Sequence, residues 1–531
     1  MNILKNFCGH LALGSIVILV FICSPGNLFA EKKNVSFVPA FLKPGNIFIA
    51  GEQITLPIHV TGLPKKPDGY SLSYRILDFW GKEIKPGQNL NLTPARKYCA
   101  ANISFQLDTP GWYRGEISLV HGDELIVTAN KNLPGQEPFV PFVILAKAKI
   151  EGRKNEFPFG VCEHYLNDKN ARLLELAGIG WLRTDVFWED IEKEEGRYRW
   201  DRLDGLVRLA TKFNIHLLAI IDYGVPWAST APESVSAFEK TRFCPLTFAY
   251  QNFLNKLLTR YKEKIKFWEV WNEPNIALFW KSSREEYADL LKIAHTEIKK
   301  IDPAARVLMG GTAGTPVDWV KMLEKKQAAG DFDIFNVHPY HYPQIPEKRL
   351  PKELNSFEES ARALGKKPLW VTEVGAPTNL VSLEEQAAFL VRDAVLALST
   401  GVEKFFWYEL ADDHMDANDR EANFGILFSD LSPKPAYAAY ANLTRLLGGM
   451  KFQSKLELGS DENYGFLFKG KEEEILVLWT TQQETQVTLK MAAPFIKQID
   501  IMGREDVLAV NDGAISLTLT SYPLYILKER N

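Results

Sequence analysis

Two glutamate residues stand at the ends of apolar, strand-like runs of the sequence. Glu273 follows the run 267–271 within a Trp-Asn-Glu-Pro-Asn segment, and Glu373 follows the run 368–371. Hydrolysis of a glycosidic bond requires two carboxyl groups, one to give a proton and one to act as base or nucleophile. The two positions therefore predict a pair of carboxylates that face each other across a sugar.

The region 151–448 alternates short apolar runs with amphipathic helical patterns. This alternation predicts an α/β fold, the (β/α)8 TIM barrel, and the length suits a barrel of roughly 250 residues or more. In such a barrel the functional residues lie at the carboxyl ends of the strands. We expect the eight strands to end near Gly160, Leu182, Ile220, Val270, Met309, Asn336, Val371 and Trp407.

The residues at these strand ends resemble the active site of the clan A retaining glycoside hydrolases. The likeness is strongest to glycoside hydrolase family 39 and its neighbours, which include β-xylosidases, α-L-iduronidases and exopolysaccharide-cleaving enzymes. The shared pattern is Arg on strand two, Asn-Glu on four, His-x-Tyr on six, Glu on seven and Trp on eight. In this chain the matching residues are Arg183, Asn272, Glu273, His338, Tyr340, Glu373 and Trp407.

The resemblance implies that Glu273 is the general acid/base and Glu373 the nucleophile. Three neighbouring side chains could assist these two glutamates on physical grounds. A fixed cation such as Arg183 near the nucleophile would keep its pKa low and its carboxylate ionised. Asn272 can bind a sugar 2-hydroxyl, and Tyr340 can hydrogen-bond Glu373.

Further side chains are expected at the same mouth. His338 would line the wall beside Tyr340, and Trp407 would form the platform under the sugar. Glu163 and His164 follow strand one, and substrate contact and ordinary strand-end packing are equal alternatives for them. Some clan A families carry a His at the end of strand three, where this chain has Ile-Asp-Tyr-Gly, so no one branch supplies the substrate. Weaker candidates, with loop packing as the alternative, are Trp188, Asp222, Tyr223 and Trp227.

Two β-rich regions flank the predicted barrel. Residues 31–150 alternate apolar and polar side chains, for example at Ile54, Leu56 and Ile58, as half-buried antiparallel strands do. This region resembles the immunoglobulin-like β-sandwich that often accompanies glycosidases, and either polymer targeting or structural packing would explain it. Residues 449–531 return to the same alternation and predict a small C-terminal β-sandwich.

Residues 1–30 have the pattern of a secretory signal peptide. Lys5 precedes an apolar run over residues 11–23, and Ala30 offers a small residue for cleavage. The apolar run is short for a membrane span. We expect a secreted or periplasmic protein without membrane insertion after cleavage, and an uncleaved anchor is the alternative.

Composition narrows the classes of partner. A hydrophobic share of 46% and a charged share of 24% are ordinary for a soluble globular protein. The formal net charge of −4 argues against nucleic acids and anionic membranes as partners. The sparse cysteines form no disulfide framework, and no histidine spacing is typical of zinc. The predicted partner is an oligo- or polysaccharide, with no cofactor and no metal.

The sequence thus predicts a secreted retaining O-glycoside hydrolase that acts on an oligo- or polysaccharide. One alternative is a carbohydrate-binding or scaffold protein that kept the barrel without turnover. Another is a transglycosylase, in which a second sugar takes the place of water. The identity of the sugar and the choice between exo- and endo-cleavage stay open.

Overall fold

The computed structural model describes most of the chain outside its N-terminus. The predicted signal peptide lies outside the described residues. Within the described part, no helix is long and apolar enough to cross a membrane. The described residues are 35–38, 40–128, 139–147, 157–414, 416, 418–471 and 473–529.

The N-terminal region consists of two β-sheets that share a buried core. Its strands are β1 Ser36–Val38, β2 Ile47–Ile49, β3 Gln53–Thr61, β4 Tyr70–Asp78, β5 Glu83–Asn91, β6 Thr93–Pro94, β7 Cys99–Gln106, β8 Gly111–His121, β9 Glu124–Thr128 and β10 Val140–Leu145. One sheet has the order β1-β3-β7-β6 and the other β2-β10-β8-β4-β5, with β9 on β8. Ile54 and Leu56 of β3 lie in one cluster with Leu72 and Ile76 of β4. The immunoglobulin-like topology and the domain boundaries stay predictions.

The central region is a TIM-barrel-like sheet of parallel strands. They are β11 Phe159–Cys162, β12 Trp181–Phe187, β13 His216–Asp222, β14 Phe267–Val270, β15 Arg306–Leu308, β16 Thr312–Ala313, β17 Phe335–His338, β18 Leu369–Val374 and β19 Lys404–Trp407. The order is β15-β14-β13-β12-β11-β19-β18-β17-β16. Its two ends are pieces of one strand, and Leu308 bridges in parallel to Ile334 just before β17. The sheet therefore closes on itself, with an interrupted fifth strand.

Side chains of the barrel strands alternate between two buried layers. Trp181, Leu218 and Phe406 belong to the cluster inside the barrel. Their strand neighbours, such as Leu182 and Phe405, belong to the layer that the strands share with the surrounding helices. Because both faces of a parallel sheet are covered in this way, the strands are almost continuously apolar in sequence.

Helices follow the barrel strands and cover their outer face. Two of the longest begin at capping boxes, Ser283 with Glu286 and Ser382 with Glu385, in which each side chain accepts from the other residue's backbone N–H. The helices are α1 Asp168–Leu176, α2 Trp188–Ile191, α3 Asp201–Lys212, α4 Ala237–Lys240, α5 Thr247–Tyr261, α6 Arg284–Ile301, α7 Val317–Lys325, α8 Leu350–Ala361, α9 Leu383–Ser399 and α10 Pro435–Leu447.

The C-terminal region packs a six-stranded sheet against the barrel. Its strands are β20 Lys451–Lys455, β21 Asn463–Lys469, β22 Glu473–Thr480, β23 Thr485–Lys490, β24 Phe495–Ile499, β25 Glu505–Ala509, β26 Ala514–Leu519 and β27 Leu524–Glu529. The large sheet has the order β20-β21-β22-β27-β24-β25, and β23 pairs with β26. Ile475 and Val477 of β22 belong to the core that includes the barrel helices, whereas Leu476 and Leu478 face β23 and β26. The period-two pattern thus buries both faces of the sheet.

Buried polar contacts tie the flanking regions to the barrel. Arg392 of α9 donates to both carboxylate oxygens of Glu347, at 2.6 and 2.5 Å, and the Trp479 indole donates to Glu347 at 2.7 Å. On the other side, the indole of Trp112 donates to the carbonyl oxygen of Pro433 at 2.9 Å. The loop after the sixth strand is therefore held by both α9 and the C-terminal sheet.

Candidate active site

The carboxylates of Glu273 and Glu373 meet across the mouth of the barrel. Glu273 follows β14 and Glu373 lies in the last residues of β18. One oxygen of each carboxylate and one ring nitrogen of His338 all lie within 4.8 Å of one another. Each glutamate is 8% exposed. The two groups are therefore close together and largely shielded from bulk water.

A sharp turn of the backbone aims Glu273 into the mouth. Trp271 and Glu273 have φ angles of 74° and 42°, in the left-handed region that residues other than glycine rarely adopt. The backbone N–H of Glu273 donates to the carbonyl of Gly311 at 2.9 Å. Asn275 and Ala313 exchange two further hydrogen bonds of 3.0 and 2.9 Å. Such strain persists where surrounding contacts fix the backbone, and here strand five fixes it.

Three side chains surround the carboxylate of Glu373. Arg183 donates a hydrogen bond to Oε1, the Tyr340 hydroxyl donates to Oε2 at 3.0 Å, and His338 Nδ1 lies 3.5 Å from Oε2. Burial raises the pKa of Glu373, but the imidazole, the guanidinium and the hydroxyl together outweigh burial and hold this pKa below its ordinary value. Glu373 is therefore ionised at neutral pH.

A further buried carboxylate, Glu269 on β14, holds the guanidinium of Arg183. Arg183 Nε donates to Oε2 at 2.7 Å and Nη2 donates to Oε1 at 2.9 Å, and the side chains are 3% and 0% exposed. Nη2 also donates to the side-chain oxygen of Asn272 at 2.9 Å, which orients the amide next to Glu273. Sequence reasoning missed Glu269, although a charged residue inside an apolar strand was the signal that could have revealed it.

His338 stands between the two catalytic candidates. Its Nδ1 lies 2.9 Å from Oε1 of Glu273, and its Nε2 lies 3.0 Å from the hydroxyl of Thr372. The ring fits because residue 311 is glycine: a Cβ at Gly311 would lie 2.2 Å from Nε2. Neither Thr372 nor Gly311 was predicted, since their role depends on a neighbour that only the fold supplies.

Glu273, His338 and Glu373 are also the group whose donor atoms converge closely enough for a metal ion, in the part of the chain that the structure describes. Both ring nitrogens of His338 already have partners within the protein. Both oxygens of Glu373 are likewise occupied by hydrogen-bond donors. The arrangement fits two carboxyl groups that are each hydrogen-bonded to other side chains of the protein. That the site works without a metal or cofactor stays a prediction.

The predicted residues Glu163 and His164 lie on the strand-one side of the mouth. The ring of His164 lies 6.3 Å from that of Tyr408, and its Nδ1 lies 2.5 Å from Oδ2 of Asp185. Burial lowers the pKa of His164, but Asp185 outweighs it and the pKa rises to about 9. Burial raises the pKa of Glu163 to about 7. His164 is thus a cation at neutral pH, and Glu163 is partly protonated.

Two more buried carboxyl groups lie on this side of the site. Asp222 is 1% exposed, and burial together with the charge of Asp185 raises its pKa well above the ordinary value. Glu409 is the second residue after the eighth strand, and burial with the nearby Asp413 and Glu163 raises its pKa to about 10. Glu409 is therefore a neutral acid at pH 7 that can donate a hydrogen bond, and burial favours the neutral form of Asp222 as well. Sequence reasoning did not single out Glu409.

The prediction that Trp407 forms the platform under the sugar is wrong. Its side chain is 0% exposed and lies with Phe405 in the layer between strands and helices. Successive strand residues face opposite sides, so Tyr408 points toward the barrel interior instead. The ring of Tyr408 lies 6.5 Å from Tyr340 and 5.3 Å from Phe424. Residues 405–408 are all aromatic, so the sequence alone does not show which of them face inward.

Part of the barrel matches a known protein family. Residues 222–440, which include both glutamates, match the family described as the glycosyl hydrolase catalytic core. This part of the barrel is therefore similar in sequence to a glycosyl hydrolase catalytic core.

The chain has sequence relatives among bacterial β-xylosidases. The chain is 27% identical over 221 residues to a beta-xylosidase of Caldicellulosiruptor saccharolyticus, which covers 36% of this chain and 44% of that protein. It is 25% identical over 208 residues to a beta-xylosidase of Geobacillus stearothermophilus, covering 34% and 41%. The matched part therefore spans less than half the length of these relatives.

In structure, the chain is similar to a family 39 glycoside hydrolase from the gut symbiont Bacteroides cellulosilyticus WH2. The TM-score is 0.74 at 23% sequence identity, and the match covers 92% of this chain and 99% of the other. At this identity the likeness concerns the fold.

Gly311 leaves room for the ring of His338, and a substitution at residue 311 tests this packing inside the barrel. We expect Gly311→Ala to lower the free energy of unfolding by about 1–3 kcal/mol, because the new methyl group overlaps the imidazole and forces it to move. The measurement is denaturant unfolding of both proteins at neutral pH.

Gly330→Ala is the matched control, because a Cβ there meets nothing within 4 Å. It is expected to change the free energy of unfolding by less than about 1 kcal/mol. Equal effects of the two substitutions would show that residue 311 does not have to make room for His338.

Proposed function

We propose that this protein is a retaining O-glycoside hydrolase in which Glu373 is the nucleophile and Glu273 the general acid/base. The observation that carries the proposal is the short distance between the two carboxylates, which have oxygens within 4.8 Å of each other. Retaining enzymes hold their carboxyl groups about 5–5.5 Å apart, whereas inverting enzymes need about 6.5–9.5 Å to place a water between them.

In the first step, the ionised Glu373 attacks the anomeric carbon of the sugar. The bond to the leaving oxygen breaks, its electron pair stays on that oxygen, and Glu273 supplies the proton that neutralises it. Arg183 and Tyr340, which both donate to Glu373, hold the carboxylate in the attacking position. The amide of Asn272, fixed by Arg183, is placed to bind the 2-hydroxyl, a contact that strengthens in the transition state.

In the second step, water releases the sugar from Glu373. Glu273, now a carboxylate, takes a proton from the water as the oxygen attacks the anomeric carbon, and the bond to Glu373 breaks. His338, 2.9 Å from Glu273, keeps that carboxyl oriented in both steps. Two displacements at one carbon restore its original configuration.

The substrate that we propose is a neutral β-linked sugar, with β-D-xylosides as the first candidates. The relatives named beta-xylosidases support this choice.

We also propose a place for the protein and for its flanking regions. The signal-like pattern of residues 1–30 supports a secreted or periplasmic enzyme. The paired N-terminal sheets with a shared core support an immunoglobulin-like accessory domain over residues 31–150. The packing of β22 between two cores supports a C-terminal β-sandwich over residues 449–531.

Azide rescue of two variants tests the assigned roles. With a 2,4-dinitrophenyl β-D-xyloside, Glu373→Ala should lose activity and regain it with azide, which attacks in place of the missing carboxylate and gives a glycosyl azide of inverted configuration. In Glu273→Ala the good leaving group still departs, and azide then attacks the glycosyl-enzyme, so the glycosyl azide should have retained configuration.

The configuration of the azide products, determined by NMR, shows which glutamate is the nucleophile and which is the acid/base. The same configuration from both variants, or no azide rescue in either, would contradict the assignment of nucleophile and acid/base.

The hydroxyl of Tyr340 should set the acidic limit of activity. Its hydrogen bond stabilises ionised Glu373, so Tyr340→Phe raises the pKa of the nucleophile and moves the acidic limb of kcat/KM to higher pH. A hydrogen bond to a charged group contributes about 1.5–3 kcal/mol, which corresponds to a shift of roughly 1–2 pH units.

Tyr342→Phe serves as the control for this experiment. Tyr342 packs edge to face on Tyr340, with ring centroids 5.9 Å apart. The acidic limb of kcat/KM for Tyr342→Phe should stay at the same pH as that of the wild-type protein. An unshifted limb in Tyr340→Phe would mean that this hydroxyl does not govern the ionisation of Glu373.

A further inference from the structure

A strip of three partly exposed aromatic rings runs along the mouth from the second to the fourth strand. Phe187 ends β12, Tyr223 follows β13, and Phe279 lies in the loop after β14. The ring centroids of Phe187 and Tyr223 are 6.2 Å apart with planes at 28°. Those of Tyr223 and Phe279 are 6.1 Å apart with planes at 1°. The rings are nearly parallel, and Arg202, 5.4 Å from the Phe187 centroid, closes the strip at that end.

This strip is fixed to the turn that carries Glu273. The indole Nε1 of Trp271 donates to the carbonyl oxygen of Phe279 at 3.0 Å, and the Trp271 ring meets Tyr223 edge to face at 5.3 Å. Because Trp271 lies two residues before Glu273, the strip begins beside the proposed acid/base and is continuous with its site.

The loops that carry the strip are joined and expose further apolar side chains. Lys281 Nζ lies 2.5 Å from Oε1 of Glu239, and the backbone N–H of Lys281 donates to the carbonyl of Arg242 at 2.8 Å. Leu278 and Phe238, on these same loops, are 57% and 68% exposed. Apolar surface gathered at the rim of a polar site is typical of a ligand-binding groove.

We propose that Phe187, Tyr223 and Phe279 bind the units of a neutral oligosaccharide that adjoin the reacting sugar. The inference rests on the proposed glycosidase function and deepens it, because it names a chain of several sugars as the substrate. Aromatic faces pack against the C–H faces of pyranose rings, and rings with two rotatable bonds lose little entropy on binding. Each sugar unit that reaches the strip therefore adds to transition-state binding.

The test compares β-1,4-linked xylo-oligosaccharides of two to five units as substrates. In the wild-type protein, kcat/KM should rise with chain length relative to the disaccharide. Phe279→Ala should reduce that rise by about fivefold to tenfold, the value of one aromatic contact. Phe495→Ala, which removes a 62% exposed ring from β24, is the matched control and should keep the full rise.

A second measurement does not depend on turnover. Calorimetric binding of xylotetraose to Glu273→Gln should weaken about fivefold to tenfold when Phe279→Ala is added, and Tyr223→Phe, which keeps its ring, should weaken it less.

The outcomes separate this inference from the function on which it rests. Cleavage of the series with no gain from chain length, or with the same gain in Phe279→Ala, overturns the strip and leaves the glycosidase in place. If the wild-type protein neither cleaves nor binds any of the series, the proposed function on xylosides and the strip fail together.

Discussion

The guanidinium of Arg183 is the interaction on which the rest of the site depends. It lies inside the barrel between Glu269 and Glu373, and removing these charges from water is costly unless their hydrogen bonds are satisfied. The barrel meets that condition because the closed sheet brings together the donors of β12 and the carboxylates of β14 and β18, which do not pair directly with one another. Together with His338 and Tyr340, the same cation keeps Glu373 ionised, and it also fixes the amide of Asn272. One buried charge thus organises both the proposed nucleophile and the proposed contact to the sugar.

The turn after β14 supplies the second constraint. Trp271 and Glu273 have left-handed φ angles, and the hydrogen bonds of Glu273 to Gly311 and of Asn275 to Ala313 hold this turn against the interrupted fifth strand. The interruption matters because Gly311 lies in it and leaves room for His338. Trp271 in turn fixes Phe279, so the backbone that places the proposed acid/base also places the aromatic strip.

The residues that the sequence could locate are those whose type and strand position are informative by themselves. Charged or polar residues that end apolar runs, such as Arg183 and Tyr340, meet Glu373 in the structure because all parallel strands end at the same face. Glu269 differs because it lies inside β14 and not at its end, so its charge within an apolar strand was the signal and its position was not. Trp407 was misplaced because a run of four aromatic residues does not show which of them face inward.

The configuration of the first product formed by the wild-type protein tests the central claim most directly. That claim is that two carboxylates with oxygens within 4.8 Å perform a double displacement. Proton NMR during early hydrolysis of an aryl β-D-xyloside would show which anomer of the free sugar appears before mutarotation. The account predicts the β-anomer first, and the α-anomer first would contradict it.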